Sequence, residues 1–153
     1  MTGQEKLEFA ARPEALDRVV QWLQEMASRY GLPDQTVGEL DLILEELVIN
    51  VVNHAEPIPP ETKPIPVRID AQLTDNAITL TIADHSRPFD PLSRPVPELF
   101  LDLEDRPVGG LGLHIVKQLS DSFQHTYEDG WNVSHIHKSI PGENRKNDAP
   151  SGS

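Results

Sequence analysis

Glu46, Asn50, Asn53 and His54 form a polar stripe at helical spacing inside an otherwise apolar run, LDLILEELVINVVNHA, Leu40 to Ala55. A solvent face normally carries Lys, Glu or Gln, which hold a helix better than Asn does. A stripe of Glu, Asn, Asn and His therefore looks selected for chemistry; the alternative is a solvent face that happens to hold two Asn. A second candidate is DHSRPFDP, Asp84 to Pro91, directly after an alternating apolar strand. A carboxylate there sits at the end of a sheet, where a pocket can open. The alternative is a plain turn, since Asp, Ser and Pro all form turns. A third is GGLGLHIV, Gly109 to Val116, in which three glycines lead into an amphipathic helix. Free N–H groups at such a helix start can cradle a phosphate. Glycines also simply join loops to helices, and this run matches neither the P-loop nor the dinucleotide fingerprint.

The elements that must position these residues follow from periodicity. Leu7 and Phe9 alternate with polar neighbours and predict a short strand. Pro13 opens a first helix, whose apolar stripe runs from Leu16 to Tyr30 and whose C-terminal cap is Gly31. Pro33 and Asp34 start the second helix, which ends near His54. Its apolar residues, with Leu42 and Ile49 extending the arc, predict burial on most sides. Val67 to Leu73 and Ile78 to Asp84 alternate as two strands of a hairpin around Asp75-Asn76. A proline-rich loop spans about 85–110, and a helix follows from Gly112 to Asp121. Phe123 and Tyr127, then Trp131 to Ile140, form a second hairpin around Asp129-Gly130. Residues 1–140 read as one domain and 141–153 as a polar, disordered tail. Strands grouped apart from helices predict an α+β fold: a two-layer α/β sandwich with a mixed, mainly antiparallel sheet and helices on one face.

Composition narrows the function. The chain has 153 residues and a net charge of −12. No Lys/Arg cluster offers a face to nucleic acid. Any anionic ligand must be held locally, by N–H groups, a few cations or a metal. There is no cysteine, which removes thiol chemistry and cysteine-based zinc sites. No stretch has the length of a membrane span, and the start, MTGQEKLEF, lacks a signal pattern, so a cytoplasmic protein is expected. His135 and His137 share one face of the last strand as a two-imidazole pair, without an evident third ligand for a metal.

Taken in order, Glu46-x-x-x-Asn50 with His54, Asp84-x-Ser86-x-Pro88-Phe89 and Gly109-Gly110-Leu111-Gly112-Leu113 resemble the three boxes of the Bergerat ATP-binding fold. Gyrase, MutL and histidine kinases share that fold. The spacing and size look most like the bacterial anti-sigma factor serine kinases, and the resemblance runs from about Leu7 to Ile140. It implies that Asn50 binds Mg²⁺ and that Glu46 is the general base. It implies that ATP is held by Asn50, Asn53, Asp84, Ser86, Phe89 and the Gly109–Leu113 segment. In that picture Asp84 accepts from the adenine amino group, the glycines wrap the phosphates, and the 85–110 loop is a lid from which Arg94 or Arg106 reaches phosphate. Asn53 and His54 are the less determined members, and His54 reads more simply as a helix cap. Ser86 stands where the family motif has glycine. The implied activity is ATP-dependent serine/threonine phosphorylation of a STAS-type anti-anti-sigma partner, with sequestration of a sigma factor and a homodimeric state. The rival reading is a non-catalytic regulatory module with a degenerate nucleotide pocket.

Overall fold

The computed structural model describes residues 2–59, 64–89 and 110–141, with side chains in the last helix from residue 114 onward. The elements run β1 (Gly3–Ala10), α1 (Ala15–Tyr30), α2 (Asp34–His54), β2 (Pro66–Leu73), β3 (Ala77–His85), α3 (Gly110–Leu119), β4 (Ser122–Glu128) and β5 (Trp131–Ser139). The strands form one sheet in the order β1-β2-β3-β5-β4, antiparallel at every pairing among the described residues. This is the expected α+β sandwich with helices on one face, except that the sheet expected to be mixed is antiparallel throughout its described pairings, as each strand pairs with a neighbour that runs against it. Among the described residues no helix is long and apolar enough to cross a membrane. The expected lid lies mostly outside the described residues, as do Gly109, Arg94, Arg106 and nearly all of the tail.

Alternation explains the layering. Val67, Ile69, Ala71 and Leu73 of β2 face the same way as Ile78, Leu80 and Ile82 of β3 and Ile136 of β5, and all are buried. Against them pack Val19, Leu23 and Met26 of α1, Leu40, Ile43, Leu44, Leu47 and Val48 of α2, and Val116 of α3. Two connections depend on positive φ. Gly31 closes α1 in the left-handed region at φ 66°. Asp129 and Gly130 both have positive φ, as a two-residue hairpin between twisted strands requires.

Helix α2 packs between α1 and α3 above the sheet, which accounts for its wide apolar arc. The arc is narrower than its composition predicts. Leu42 is 49% exposed, and Glu45 and Asn53 are exposed too, while Ile49 is only half-buried. One outer row of the helix faces solvent, and Leu42 belongs to it. Helix α3 begins at Gly110, two residues before the glycine expected to start it.

A part-buried ion pair ties the helical layer to the sheet. Lys138 projects from β5 into the core layer, 2.6 Å from a Glu39 carboxylate oxygen of α2 and 2.7 Å from the carbonyl of Leu119 at the end of α3. The Lys138 hydrogen bond holds the Glu39 carboxyl below its ordinary range, against a smaller opposing effect of burial. Because the folded-state value is lowered, this contribution is present above the unfolded Glu value and is lost as pH falls through the folded one. Lys138 is 9% exposed at its side chain and Glu39 27%, so the pair lies between the surface and buried cases. Removing one partner by Glu39→Ala should cost about 2 kcal/mol. At this chain length that lowers Tm by about 4–8 °C, read by thermal unfolding at neutral pH. An unchanged Tm would show that the ammonium finds solvent instead.

Candidate functional site

At one end of the sheet the core-facing alternation turns polar. The buried file Ile78–Leu80–Ile82 of β3 continues into Asp84, and then into Ser86 just beyond the strand. The facing file of β5 runs from Ile136 to Ser134 and Asn132. The register sets Ser134 opposite Ile82 and Asn132 opposite Asp84. Asp84, Ser86, Asn132 and Ser134 are all buried, at 8%, 0%, 3% and 8% exposure. Polar groups so placed are costly unless they are paired or used.

They are mostly paired. The Ser86 hydroxyl donates to Asp84 Oδ1. Asn132 Nδ2 donates to Ser86 Oγ at 2.9 Å and to the Arg87 carbonyl at 2.8 Å, and reaches Asp84 Oδ1 at 3.3 Å. Asn132 Oδ1 accepts the Phe89 N–H at 2.8 Å. The segment after β3 is also held through its backbone. The Ser86 N–H donates to the Gly130 carbonyl and the Arg87 N–H to the Glu56 carbonyl. The Tyr127 hydroxyl donates to the Ser86 carbonyl at 3.0 Å. Serine is accommodated at position 86 without backbone strain, since among the described residues Asp129 is the only non-glycine with positive φ. The polar alcohol that replaces glycine has become a ligand of the carboxylate.

Helix α2 supplies the opposite wall. Leu47, Asn50, Val51 and Ala55 line a cavity together with Ile82, Asp84, Ser86, Phe89, His125, Asn132 and Ser134. Asn50 is 5% exposed, and its side-chain Oδ1 is buried without a hydrogen-bond partner. Such an atom marks a place for a missing partner. A neutral amide oxygen suits a hard cation such as Mg²⁺, which takes few protein ligands and keeps several waters. Burial pushes the Asp84 carboxyl above the ordinary Asp range. The Ser86 and Asn132 hydrogen bonds and the charges of His125 and His85 oppose that shift. The cavity encloses about 30 Å³, room for one or two waters. Phe89, which lines it, stacks its ring on His54 at 6.4 Å with an interplanar angle of 16°.

The residues singled out in the sequence separate here. Asn50, Asp84, Ser86 and Phe89 meet at the cavity. Glu46 is half-buried one turn from Asn50 and does not line it, and Asn53 is exposed. His54 is not the terminal cap: Ala55 caps α2 through its N–H to the Val51 carbonyl, and the His54 ring lies over Phe89. Burial raises the Glu46 carboxyl, and the neighbouring Glu45 charge raises it further. Gly110, Leu111, Gly112 and Leu113 form the first turn of α3, where N–H groups have no partner within the helix. Sequence reading missed Asn132, Ser134, His125 and Tyr127. The signal for the first two was available, since counting back by twos from buried Ile136 leads to them. The His135–His137 pair gains no third ligand: among the described residues no group of three or more His, Cys, Asp or Glu could hold a metal.

The opposite sheet face bears a larger concavity of about 550 Å³. Four of its charged side chains are paired across the strands. Lys6 pairs with Asp70 and Arg68 with Glu8, both at 3.9 Å, while the Arg68 guanidinium lies 4.2 Å from the Trp131 ring centre. The cavity with a buried carboxylate and an orphaned amide oxygen is the better candidate.

The architecture is an antiparallel sheet covered on one face by three helices, with a buried carboxylate at the sheet end and a buried amide on the facing helix. Residues 9–136 match the profile described as the histidine kinase-like ATPase domain, and the chain belongs to that family. Among solved structures, it is similar to the crystal structure of the RsbU and RsbW domains of Rv1364c from Mycobacterium tuberculosis. That match has a TM-score of 0.61 and 16% identity, covering 92% of this chain and 34% of that one. This chain thus spans about a third of that neighbour, and at such identity the likeness is one of fold. A histidine kinase domain from the Erythrobacter litoralis EL346 blue-light activated histidine kinase aligns at a TM-score of 0.49 and 16% identity, covering 88% of this chain and 62% of that one. No curated protein matches the chain.

Proposed function

We propose that this chain is an ATP-dependent protein serine/threonine kinase that phosphorylates a STAS-type anti-anti-sigma protein, and that it thereby governs the availability of a sigma factor. The observation that carries the nucleotide part is the cavity itself, which is lined by both Asn50, whose Oδ1 is buried without a partner, and the buried carboxylate of Asp84. The order of motifs, the family and the likeness in fold to a structure named for its RsbW domain support the rest.

In this reading Asp84 accepts a hydrogen bond from the adenine amino group. Asn50 holds Mg²⁺ through Oδ1, and the N–H groups of the α3 first turn, with Gly109, receive phosphate. Bound Mg²⁺ would supply charge neutralisation at the transferring phosphoryl group. Glu46 takes the proton from the partner's hydroxyl as its oxygen forms the bond to the γ-phosphorus and the bond to ADP breaks. Adenine is larger than the space of about 30 Å³ between these walls, so binding requires the site to widen. The protein acts in the cytoplasm as a homodimer, without contact to nucleic acid.

The test is phosphoryl transfer to a purified STAS-type protein from the same organism, followed by intact mass and by mapping of the modified residue. One phosphate on a serine or threonine, dependent on Mg²⁺, is the expected result. ATP binding without transfer to any such partner would favour the non-catalytic regulatory module instead.

A further inference from the structure

Asn132 sits at the centre of the buried polar network. Its amide orientation is fixed by two backbone groups. The Phe89 N–H needs an acceptor and the Arg87 carbonyl needs a donor, so Oδ1 must face the first and Nδ2 the second. Nδ2 then has its other hydrogen directed at Ser86 Oγ, 2.9 Å away. With that lone pair taken, the Ser86 proton points to Asp84 Oδ1, where the structure places it. The alternative acceptor for Ser86, the Arg87 carbonyl, is 3.4 Å away and already holds Asn132. The chain of donors runs from Asn132 through Ser86 to one oxygen of Asp84.

Ser86 donates to Oδ1, the Asn132 hydrogen directed at Ser86 is shared with that same oxygen at 3.3 Å, and neither is directed at Oδ2. We infer that Asn132 is a positioning residue which, acting through Ser86, holds Asp84 in one orientation with Oδ2 as its reading atom, and so makes the site select a purine with a 6-amino group over one with a 6-oxo group. This rests on the nucleotide reading proposed above. An anionic acceptor held in place pairs with an amino N–H and opposes a carbonyl oxygen. A carboxylate free to turn can move away from the carbonyl and discriminates less. The same amide clamps the Arg87–Phe89 backbone, so the purine-reading group and the stem of the following segment share one anchor.

The network also affects titration. Burial is the main influence raising the Asp84 carboxyl, and Ser86 and Asn132 are the main ones opposing it. His125 of β4 and His85 of β3 are the titratable neighbours that lower it, and α2 contributes only Leu47, Asn50, Val51 and Ala55 to this wall, none of which titrates. Without Asn132 the carboxyl rises further, and the ionised, amino-accepting form is lost at a higher pH.

Calorimetry with Mg·ATP and Mg·ITP, on the native protein and on Asn132→Ala and Ser86→Ala, tests this. Ser86→Ala removes the middle of the relay and leaves the Arg87–Phe89 clamp in place, so it serves if Asn132→Ala does not fold. The native protein should prefer ATP. Each variant should reduce the ATP/ITP affinity ratio at least tenfold and move the acid midpoint of ATP binding to higher pH. A purely structural role would weaken both nucleotides alike and leave ratio and midpoint where they were, which would overturn the inference. If the native protein bound neither nucleotide, the nucleotide reading would fall and this inference with it. Native preference for ATP with an unchanged ratio in the variants would remove this inference alone.

Discussion

Asp84→Asn should weaken ATP binding by at least about 100-fold, equivalent to about 2.7 kcal/mol, while leaving the protein as stable as before or more so. The replacement keeps an oxygen for Ser86 and Asn132 at Oδ1. It puts an amide NH₂ where Oδ2 was, and a donor then faces the adenine amino donor. The effect on stability has the opposite sign because the native carboxylate is desolvated. A carboxyl raised above its unfolded value favours the folded state while protonated, and that advantage disappears as pH rises from the unfolded value through the folded one. At neutral pH the native protein bears the cost of a buried charge and the variant does not. Thermal unfolding and calorimetry on the same samples separate the two effects. Strong ATP binding by Asp84→Asn would mean that Asp84 does not read the base.

The second large effect is expected at Glu46. Glu46→Gln should lower phosphoryl transfer by about 10²–10⁴-fold, with ATP affinity changed no more than a few-fold, because Glu46 lies off the cavity and, as the proposed base, would act only on the attacking hydroxyl. The pH profile carries a further signature. Burial, and then the Glu45 charge, raise the Glu46 carboxyl, so the acid limb of the transfer rate should lie above the ordinary carboxylate range. Glu45→Gln removes one of those causes and should move the limb to lower pH. Equal loss of binding and turnover in Glu46→Gln would make the residue structural rather than a base.

Much of the architecture was legible because its determinants are local. Period-two alternation identified the two hairpins, Asp129-Gly130 marked a turn that needs positive φ, and Gly31 marked the end of α1. The central helix was legible from its apolar run, but its environment was not. Leu42 counts as core by type and lies on the outer row, since composition does not say how many sides of a helix are covered. Within the polar stripe the same difficulty separates Asn50, buried with an orphaned oxygen, from exposed Asn53 three residues on.

Asn132 shows a different limit. On its own strand, alternation with Ser134 and Ile136 puts it on the buried face, but nothing local says what it pairs with. Its role depends on the register that sets it opposite Asp84, a pairing of residues 48 positions apart. Ser86 was visible as a departure from the family pattern. Only the Asn132 register shows that the departure is matched on the neighbouring strand.

The most direct test of the account is calorimetric titration of ATP into the native protein and into Asn50→Ala, each with and without Mg²⁺. If Asn50 Oδ1 holds the metal and the cavity holds the base, native binding will strengthen markedly with Mg²⁺. Asn50→Ala will lose that Mg²⁺-dependent gain, and its fold will be intact by thermal unfolding. Equal, Mg²⁺-independent affinity in the two proteins, or no binding by either, would contradict the assignment of this cavity as the nucleotide site.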